Sequence, residues 1–588
     1  MFLLKDPNRT RELIDVIQGK EASDFAIVNA SILNVYAGEL LEDYSVSVKG
    51  EWIAYIGEDA SKTIGKHTRV LDASGKVIIP GLMDAHCHLA DWIYSPSEFL
   101  PYAMASGTTT IITEAIEPFL AMGEDGLLDF LASLEDQPVK VFVTLPAGVS
   151  TSKKTELMSR KLLKELLSQD AIVGLGESYW QGVLKNLDVH IPAFQETFAH
   201  GKRVEGHSAG AKGEKLMAYA ATGVSSCHEP ITDQEALERL RLGMYVMVRE
   251  GSIREDLVPI SRIVESGADL RRLILVTDGV SPKDLLEKGY MANIVQKAIN
   301  CGFDPVQAIQ MATINPSTYF RLDTFTGGIA PGKQADMLVV PDIRSIEPEL
   351  VISRGRIIAK EGEAVVCTRK HNFSSKSLNS VHLERELEGS DFSILVDSGG
   401  NQAKVRVIEM VTDLVTRELI VSVPVLDGEI RSDKGEDLLK VAAIDRRYSP
   451  GDMFVGLIKG FGLKSGAIAS SGAWDTSDII VVGENGRDMA NAVNRIHSLQ
   501  GGAVVSAGGK IVAEIAAPVF GLISEMPVPR LAKQLQEITA AMKNLGCPLK
   551  DPLRTLVTLT GAAIPFLRIC EQGLVDIKSG KILGLVVY

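Results

Sequence analysis

Two histidines one residue apart, His86 and His88, are the residues of this chain best spaced for chemistry; they lie in Pro80-Gly81-Leu82-Met83-Asp84-Ala85-His86-Cys87-His88. The apolar run Val77-Ile78-Ile79 leads into them. Side chains alternate along a strand, so both imidazoles face one way and Cys87 the other. Two imidazoles on one face at the end of a buried strand can bind a metal, although the pair alone fits two ordinary hydrogen-bonded histidines as well. The rest of the chain adds donors of the same kind. Glu114, Glu177, His207, His228 and Asp278 each follow a short β-rich run. The chain has 10 histidines in all, and four of them stand at such ends, which points to one metal site rather than scattered surface residues. Imidazole and carboxylate donors without thiolate suit manganese, iron or zinc, and donor type alone does not choose among them.

The elements that must position these groups repeat. After the run that carries His86 come Thr109–Thr113, Val139–Val143, Ala171–Leu175, Arg203–Glu205, Val224–Ser226, Tyr245–Val248 and Leu273–Val276, most of them separated by amphipathic helical segments such as Ser159–Ser168 and Asp233–Leu242. Eight such units over about 220 residues have the size and order of an α/β (β/α)8 TIM barrel. A doubly wound open sheet is the alternative. A barrel carries its chemistry where strands end, and the donors lie there: His86 and His88 on the first, Glu114 on the second, Glu177 on the fourth, His207 on the fifth, His228 on the sixth and Asp278 on the eighth.

Around the barrel the texture differs. Residues 1–23 read as a helical leader, with helical spacing over Thr10–Ile17. Residues 24–80 and 327–370 are rich in short strands and turns and are expected to form one small β-sandwich domain built from both sides of the barrel, which takes 81–326. A polar linker near 369–376 leads to a C-terminal α+β domain over 378–588.

Composition narrows the function. A net charge of −14 disfavours a polyanionic partner such as DNA or an anionic membrane surface. No apolar run approaches the roughly 18–20 residues of a membrane span, and the first residues lack the basic and apolar pattern of a signal peptide. The six cysteines include no C-x-x-C pair, so neither a disulfide framework nor a zinc ribbon is expected, and a cytoplasmic location is. Neither nucleic acid nor membrane is an expected partner; a small molecule is.

These residues resemble the amidohydrolase superfamily and, within it, the adenine deaminase family, over nearly the whole chain. Beside the first histidine motif, the stretches that carry the likeness include Gly107-Thr108-Thr109-Thr110, Gly206-His207-Ser208-Ala209-Gly210, Ile329-Ala330-Pro331-Gly332-Lys333-Gln334-Ala335-Asp336, Gly460-Phe461-Gly462-Leu463-Lys464 and Gly546-Cys547-Pro548-Leu549. The resemblance implies two divalent metal ions per chain, manganese first, with iron or zinc as alternatives. His86, His88 and Asp278 would hold one, His207 and His228 the other, and Glu177 would bridge them. It implies hydrolytic deamination of adenine to hypoxanthine and ammonia by a metal-activated hydroxide, with Asp278 and Glu177 as the catalytic residues. A homo-oligomer is expected.

The chain also departs from the family pattern. Leu89-Ala90-Asp91-Trp92 stands for Ile-Glu-Ser-Ser, Thr113-Glu114-Ala115-Ile116-Glu117 for Ala-Asp-Pro-His-Glu, Gly279 for a second Asp, and Trp474-Asp475-Thr476-Ser477 for a His-Asp-Ser-His-like run. Asp91, Trp92, Glu114, Glu117 and Trp474 are accordingly the expected substrate contacts. Moving a buried hydrogen-bonding partner changes discrimination by orders of magnitude. The alternative reading therefore keeps the mechanism and takes another cyclic amidine or amide, such as a modified purine or a pterin.

Overall fold

The computed structural model describes residues 6–91, 93–148, 150–396 and 401–587. Eight parallel strands form the central barrel: β1 (Leu82–Cys87), β2 (Thr108–Glu114), β3 (Lys140–Leu145), β4 (Ile172–Tyr179), β5 (Arg203–His207), β6 (Ser226–Cys227), β7 (Tyr245–Arg249) and β8 (Leu273–Val276). They pair in the order β1 to β5 in one run and β6 to β8 in another. Two backbone hydrogen bonds join the runs: Ser225 N–H to the Val204 carbonyl at 3.1 Å, and Asp278 N–H to the His86 carbonyl at 3.0 Å. The ring is therefore closed between the ends that carry His86 and Asp278, and the open-sheet alternative is excluded.

The strands are buried on both faces because helices cover the outside; all seven residues of β2 are inaccessible. One such helix, Arg160–Leu167, buries Leu162, Leu163, Leu166 and Leu167 on a single stripe and is capped by Ser159, whose hydroxyl accepts from Leu162 N–H. Inside the barrel, Met83, Ala85, Ile112, Phe142, Val173, Met247, Ile274 and Val276 pack on Tyr319, Phe320 and Phe325. This apolar plug fills the lower barrel and leaves the strand ends to the polar groups.

The run Val77–Ile79 lies outside the barrel sheet. Val77–Pro80 pairs antiparallel with Met337–Val340, Pro80 opposite Met337, in a nine-stranded sheet assembled from residues 25–80 and 337–364. Gly81 separates it from β1: a Cβ there would stand 2.3 Å from Thr109 Oγ1. The Ala335-Asp336 run also finds a structural role. Asp336 is buried, accepts the Lys140 ammonium at 2.7 Å, and bonds Thr326 Oγ1 and Arg354 N–H, pinning the foot of β3 to the outer sheet.

The leader folds as a helix over Pro7–Ile17, capped by Asp6. The C-terminal segment builds an eight-stranded sheet between Gln402 and Ala516, with helices Gly486–Leu499 and Val528–Asn544. It packs on the barrel mouth. Ser95 N–H bonds the Ser524 carbonyl at 3.0 Å and Ser524 N–H returns to Ile93 at 2.6 Å, while Arg447 reaches the Leu120 carbonyl at 2.8 Å. No helix among the described residues is long and apolar enough to cross a membrane.

Candidate metal centre

β1 does not alternate regularly into its two histidines. Its register against β2 shifts between Asp84 and Cys87, and beyond the shift His86 and His88 face the other strand ends while Cys87 Sγ turns back to the Ile112 carbonyl. Asp84 holds this irregular end. One carboxylate oxygen accepts His86 N–H at 3.3 Å and Thr277 N–H at 3.2 Å; the other accepts the hydroxyls of Thr277 and Tyr290. β1 and β8 are thereby tied together just below the donors they present. Asp278 itself takes the left-handed backbone region, φ +59°, which a short acidic side chain tolerates better than a bulky one.

Donor atoms of His86, His88, Glu177 and Asp278 all lie within 4.8 Å of one another, as do those of Glu177, His207 and His228. All six side chains are buried or nearly so. Nε2 of both His86 and His88 stands 3.5 Å from Asp278 Oδ1, and they stand 3.6 and 3.7 Å from Glu177 Oε1. The same Glu177 oxygen lies 2.9 Å from His228 Nε2, so one carboxylate faces both histidine groups. Gly176 makes room for this strand end, because a Cβ would fall 1.8 Å from Glu114 Oε2. Nε2 of His86 is buried with no hydrogen-bond partner among the described residues, an arrangement that costs free energy unless a cation takes the lone pair. The donor set fits a divalent metal centre: imidazoles and carboxylates converging without thiolate.

The electrostatics follow from the packing. Burial pushes Glu177 toward neutrality, but the facing imidazoles of His228, His86 and His88 outweigh it and hold the carboxyl well below the ordinary range. Asp278 is likewise lowered against its burial, by His86 and by the positive field of His228 and Arg249. For His86 and His88 burial opposes the charge, yet the surrounding carboxylates raise both well above the usual imidazole range.

Of the expected substrate contacts, the structure brings Glu114 and Glu117 behind the histidines. Glu117 Oε1 lies 2.6 Å from His88 Nδ1. Glu114 is buried beneath His86, 3.8 Å from Nδ1, and accepts Glu177 N–H at 3.2 Å. Asp91 and Trp474 meet each other: the indole N–H stands 3.0 and 3.1 Å from the two oxygens of Asp91, so the C-terminal segment reaches the barrel mouth. Burial first, then the charge of Glu117, pushes Asp91 up to about 6. Trp92 lies outside the described residues.

Several groups at the site escaped the sequence reading. Glu205 Oε2 stands 3.4 Å from His86 Nδ1. Glu229 Oε1 lies 3.1 Å from His207 Nε2 and 3.2 Å from His228 Nε2, and Arg249 Nη1 donates to it at 2.6 Å. The same nitrogen reaches Asp278 Oδ2 at 3.4 Å. Arg249 is the last residue of β7, the place where the barrel rule says to look, and Glu229 adjoins His228 in sequence. Tyr179, at the end of β4, and Asp475 are the others.

With this geometry in view, two family models match the chain: Amidohydrolase family over residues 77–358, and Adenine deaminase C-terminal domain over 413–581. Three similar relatives are each named adenine deaminase. The protein of Moorella thermoacetica is 35% identical over 585 residues, covering 98% of this chain and 98% of its own. That of Clostridium botulinum is 34% identical over 588 residues, with 98% of each chain covered. That of Dehalococcoides mccartyi is 35% identical over 578 residues, covering 97% of this chain and 98% of its own. A match of this extent, with barrel and C-terminal segment both included, makes the chain a member of the adenine deaminase family of amidohydrolases.

Proposed function

We propose that the protein hydrolyses adenine to hypoxanthine and ammonia, a small-molecule reaction at a C–N bond of a cyclic amidine. The observation that carries this reading is the full set of six donors, converged at the strand ends of a chain related to adenine deaminases along nearly its whole length. His86, His88 and Asp278 would hold one divalent ion and His207 and His228 a second, with Glu177 facing both; manganese is the first assignment, iron or zinc the next.

Such ions supply, when bound, a water whose pKa is brought down toward neutrality. The chain's own residues do the rest. Asp278 Oδ1 faces the ring nitrogens of both β1 histidines, within reach of any proton released there, and Arg249 steadies its other oxygen. Asp278 is therefore the group to take the proton of the attacking water and return it to the departing ammonia at C6. Glu177, held ionised by its histidines, keeps their ring nitrogens turned to a common point. The Trp474 indole bonds Asp91 at the mouth, a roof that would restrict the entry of bulk water. In this division of labour residues 81–326 form the hydrolase and residues 378–588 its cover.

The Asp91–Trp474 pair favours one second reading, a cyclic amidine or amide other than adenine. Purified protein loaded with manganese and given adenine is expected to release ammonia and hypoxanthine in equal amounts. Metal-loaded protein that releases none from adenine, but does so from a modified purine or a pterin, overturns the first reading in favour of the second.

A further inference from the structure

Resting on the metal-centre reading above, we propose that Asp475, supplied by the C-terminal segment, is a positioning residue for Glu177 that acts through Tyr179, so that docking of that segment completes the metal centre.

The Tyr179 hydroxyl stands between two carboxylates. It is 3.2 Å from Glu177 Oε2 and 3.1 Å from Asp475 Oδ1. Glu177 Oε1 is the oxygen that faces His86, His88 and His228. The contact with Tyr179 therefore takes the outer oxygen and fixes the rotation that aims the inner one at the histidines. A hydroxyl carries one proton, so when Tyr179 donates it to Glu177 the bond to Asp475 is made by a proton of the Asp475 carboxyl, and the orientation of the hydroxyl depends on both neighbours. The Tyr179 ring also leans on His207, with centroids 4.7 Å apart. One side chain of β4 thus touches the shared carboxylate and a histidine of the second group.

Asp475 is built into this position. The residue is only 6% exposed. Oδ2 accepts Ala562 N–H at 2.7 Å, and its backbone carbonyl accepts the Ser150 hydroxyl at 2.7 Å and Thr151 N–H at 3.3 Å. Thr151 Oγ1 in turn donates to the Thr560 carbonyl at 2.9 Å. The residue takes φ +59°, a conformation paid for elsewhere in the fold. Anchored from the barrel loop after β3 and from the C-terminal segment alike, the carboxyl has little freedom except toward Tyr179. A simple interdomain contact would need the anchors; it would not need the line from Asp475 through Tyr179 to the oxygen pair of Glu177.

Groups that orient metal-binding side chains in this way typically cost about 10–100-fold in metal affinity when removed. The test compares full-length wild type, Tyr179→Phe, Asp475→Ala and the double variant by competition with a chelator for manganese, with thermal unfolding followed in parallel. Each single variant is expected to lose about 10–100-fold in affinity, and the double variant no more than the worse single one, because both break one line. Asp475→Asn, whose side-chain amide can donate to the Tyr179 oxygen while the Tyr179 hydroxyl donates to Glu177, is expected to retain most of the affinity. Wild-type affinity in Tyr179→Phe, or losses that multiply in the double variant, overturn the proposal. If Asp475→Ala unfolds, Tyr179→Phe and Asp475→Asn decide alone. Wild-type protein that binds no metal instead overturns the metal-centre reading on which the proposal rests.

Discussion

Glu117 holds Nδ1 of His88 at 2.6 Å, and this decides which nitrogen of the ring is left for Asp278 and Glu177. A carboxylate accepts, so Nδ1 keeps its proton and Nε2 is the nitrogen that gives its lone pair to a metal once its own proton is displaced. Glu205 stands in the same relation to His86 at a looser 3.4 Å. Glu117→Gln is expected to weaken metal binding by about 10–100-fold, and Glu205→Gln by less, because its bond is longer. Elemental analysis after dialysis against graded chelator reads both. Equal losses would contradict the ranking.

Arg249 joins three carboxylates, Glu229 at 2.6 Å, Asp256 at 3.0 Å and Asp278 at 3.4 Å. It is 5% exposed, so bulk water screens its charge little. Removing one partner of a buried ionic group leaves uncompensated charge and costs about 3–5 kcal/mol. Arg249→Met is expected to lower the stability of metal-free protein by about that amount, measured as a shift of the urea midpoint. Arg249→Lys keeps the charge without the planar fork and is expected to fall between. A midpoint unchanged in Arg249→Met would mean that the carboxylates repack or protonate.

Protons and metal compete for the same ring nitrogens. In metal-free protein burial opposes the charge on His86 and His88, but Asp278, Glu177, Glu205 and Glu117 raise both well above the usual imidazole range. A raised pKa means that the metal-free state keeps its protons to higher pH, so affinity for metal falls as pH falls. Loading at neutral pH is then expected to release protons. Calorimetric titration of stripped protein with manganese, repeated in buffers of different ionisation enthalpy, counts them. An affinity flat from pH 6 to 8, with no buffer dependence, would contradict the expectation.

Much of this site could be read from residue order because strand ends are local features. His207 closes Glu205-Gly206-His207, and Asp278 closes Val276-Thr277-Asp278, whatever the rest of the chain does. The β8 run Leu273–Val276 was legible to the residue. The roles of Glu114 and Glu117 were not, since which side of an imidazole a carboxylate approaches depends on how two strands sit against each other. The partner of Val77–Ile79 is a related case: only Met337–Val340, more than 250 residues on, fixes the strand it lies against. Asp475 and Trp474 come from the far end of the chain, and no spacing links them to Tyr179 or Asp91.

The Trp474 indole N–H faces both oxygens of the Asp91 side chain, and the pair spans barrel and C-terminal segment at the mouth of the site. Trp474→Phe keeps an aromatic ring and deletes one N–H. Leaving an acceptor without its donor costs about 1–3 kcal/mol where it is buried, and at the half-buried Asp91 the simplest relief is for the roof to open and admit water. An opened roof weakens substrate binding without touching the metal donors, because Trp474 bonds none of them. KM is therefore expected to rise about 10-fold, an intermediate value of that range, while kcat changes less and metal content stays at the wild-type level. Asp91→Asn, which still offers an oxygen to the indole, is expected to raise KM by less. A fall in kcat at constant KM would assign Trp474 to the chemical step rather than to the roof.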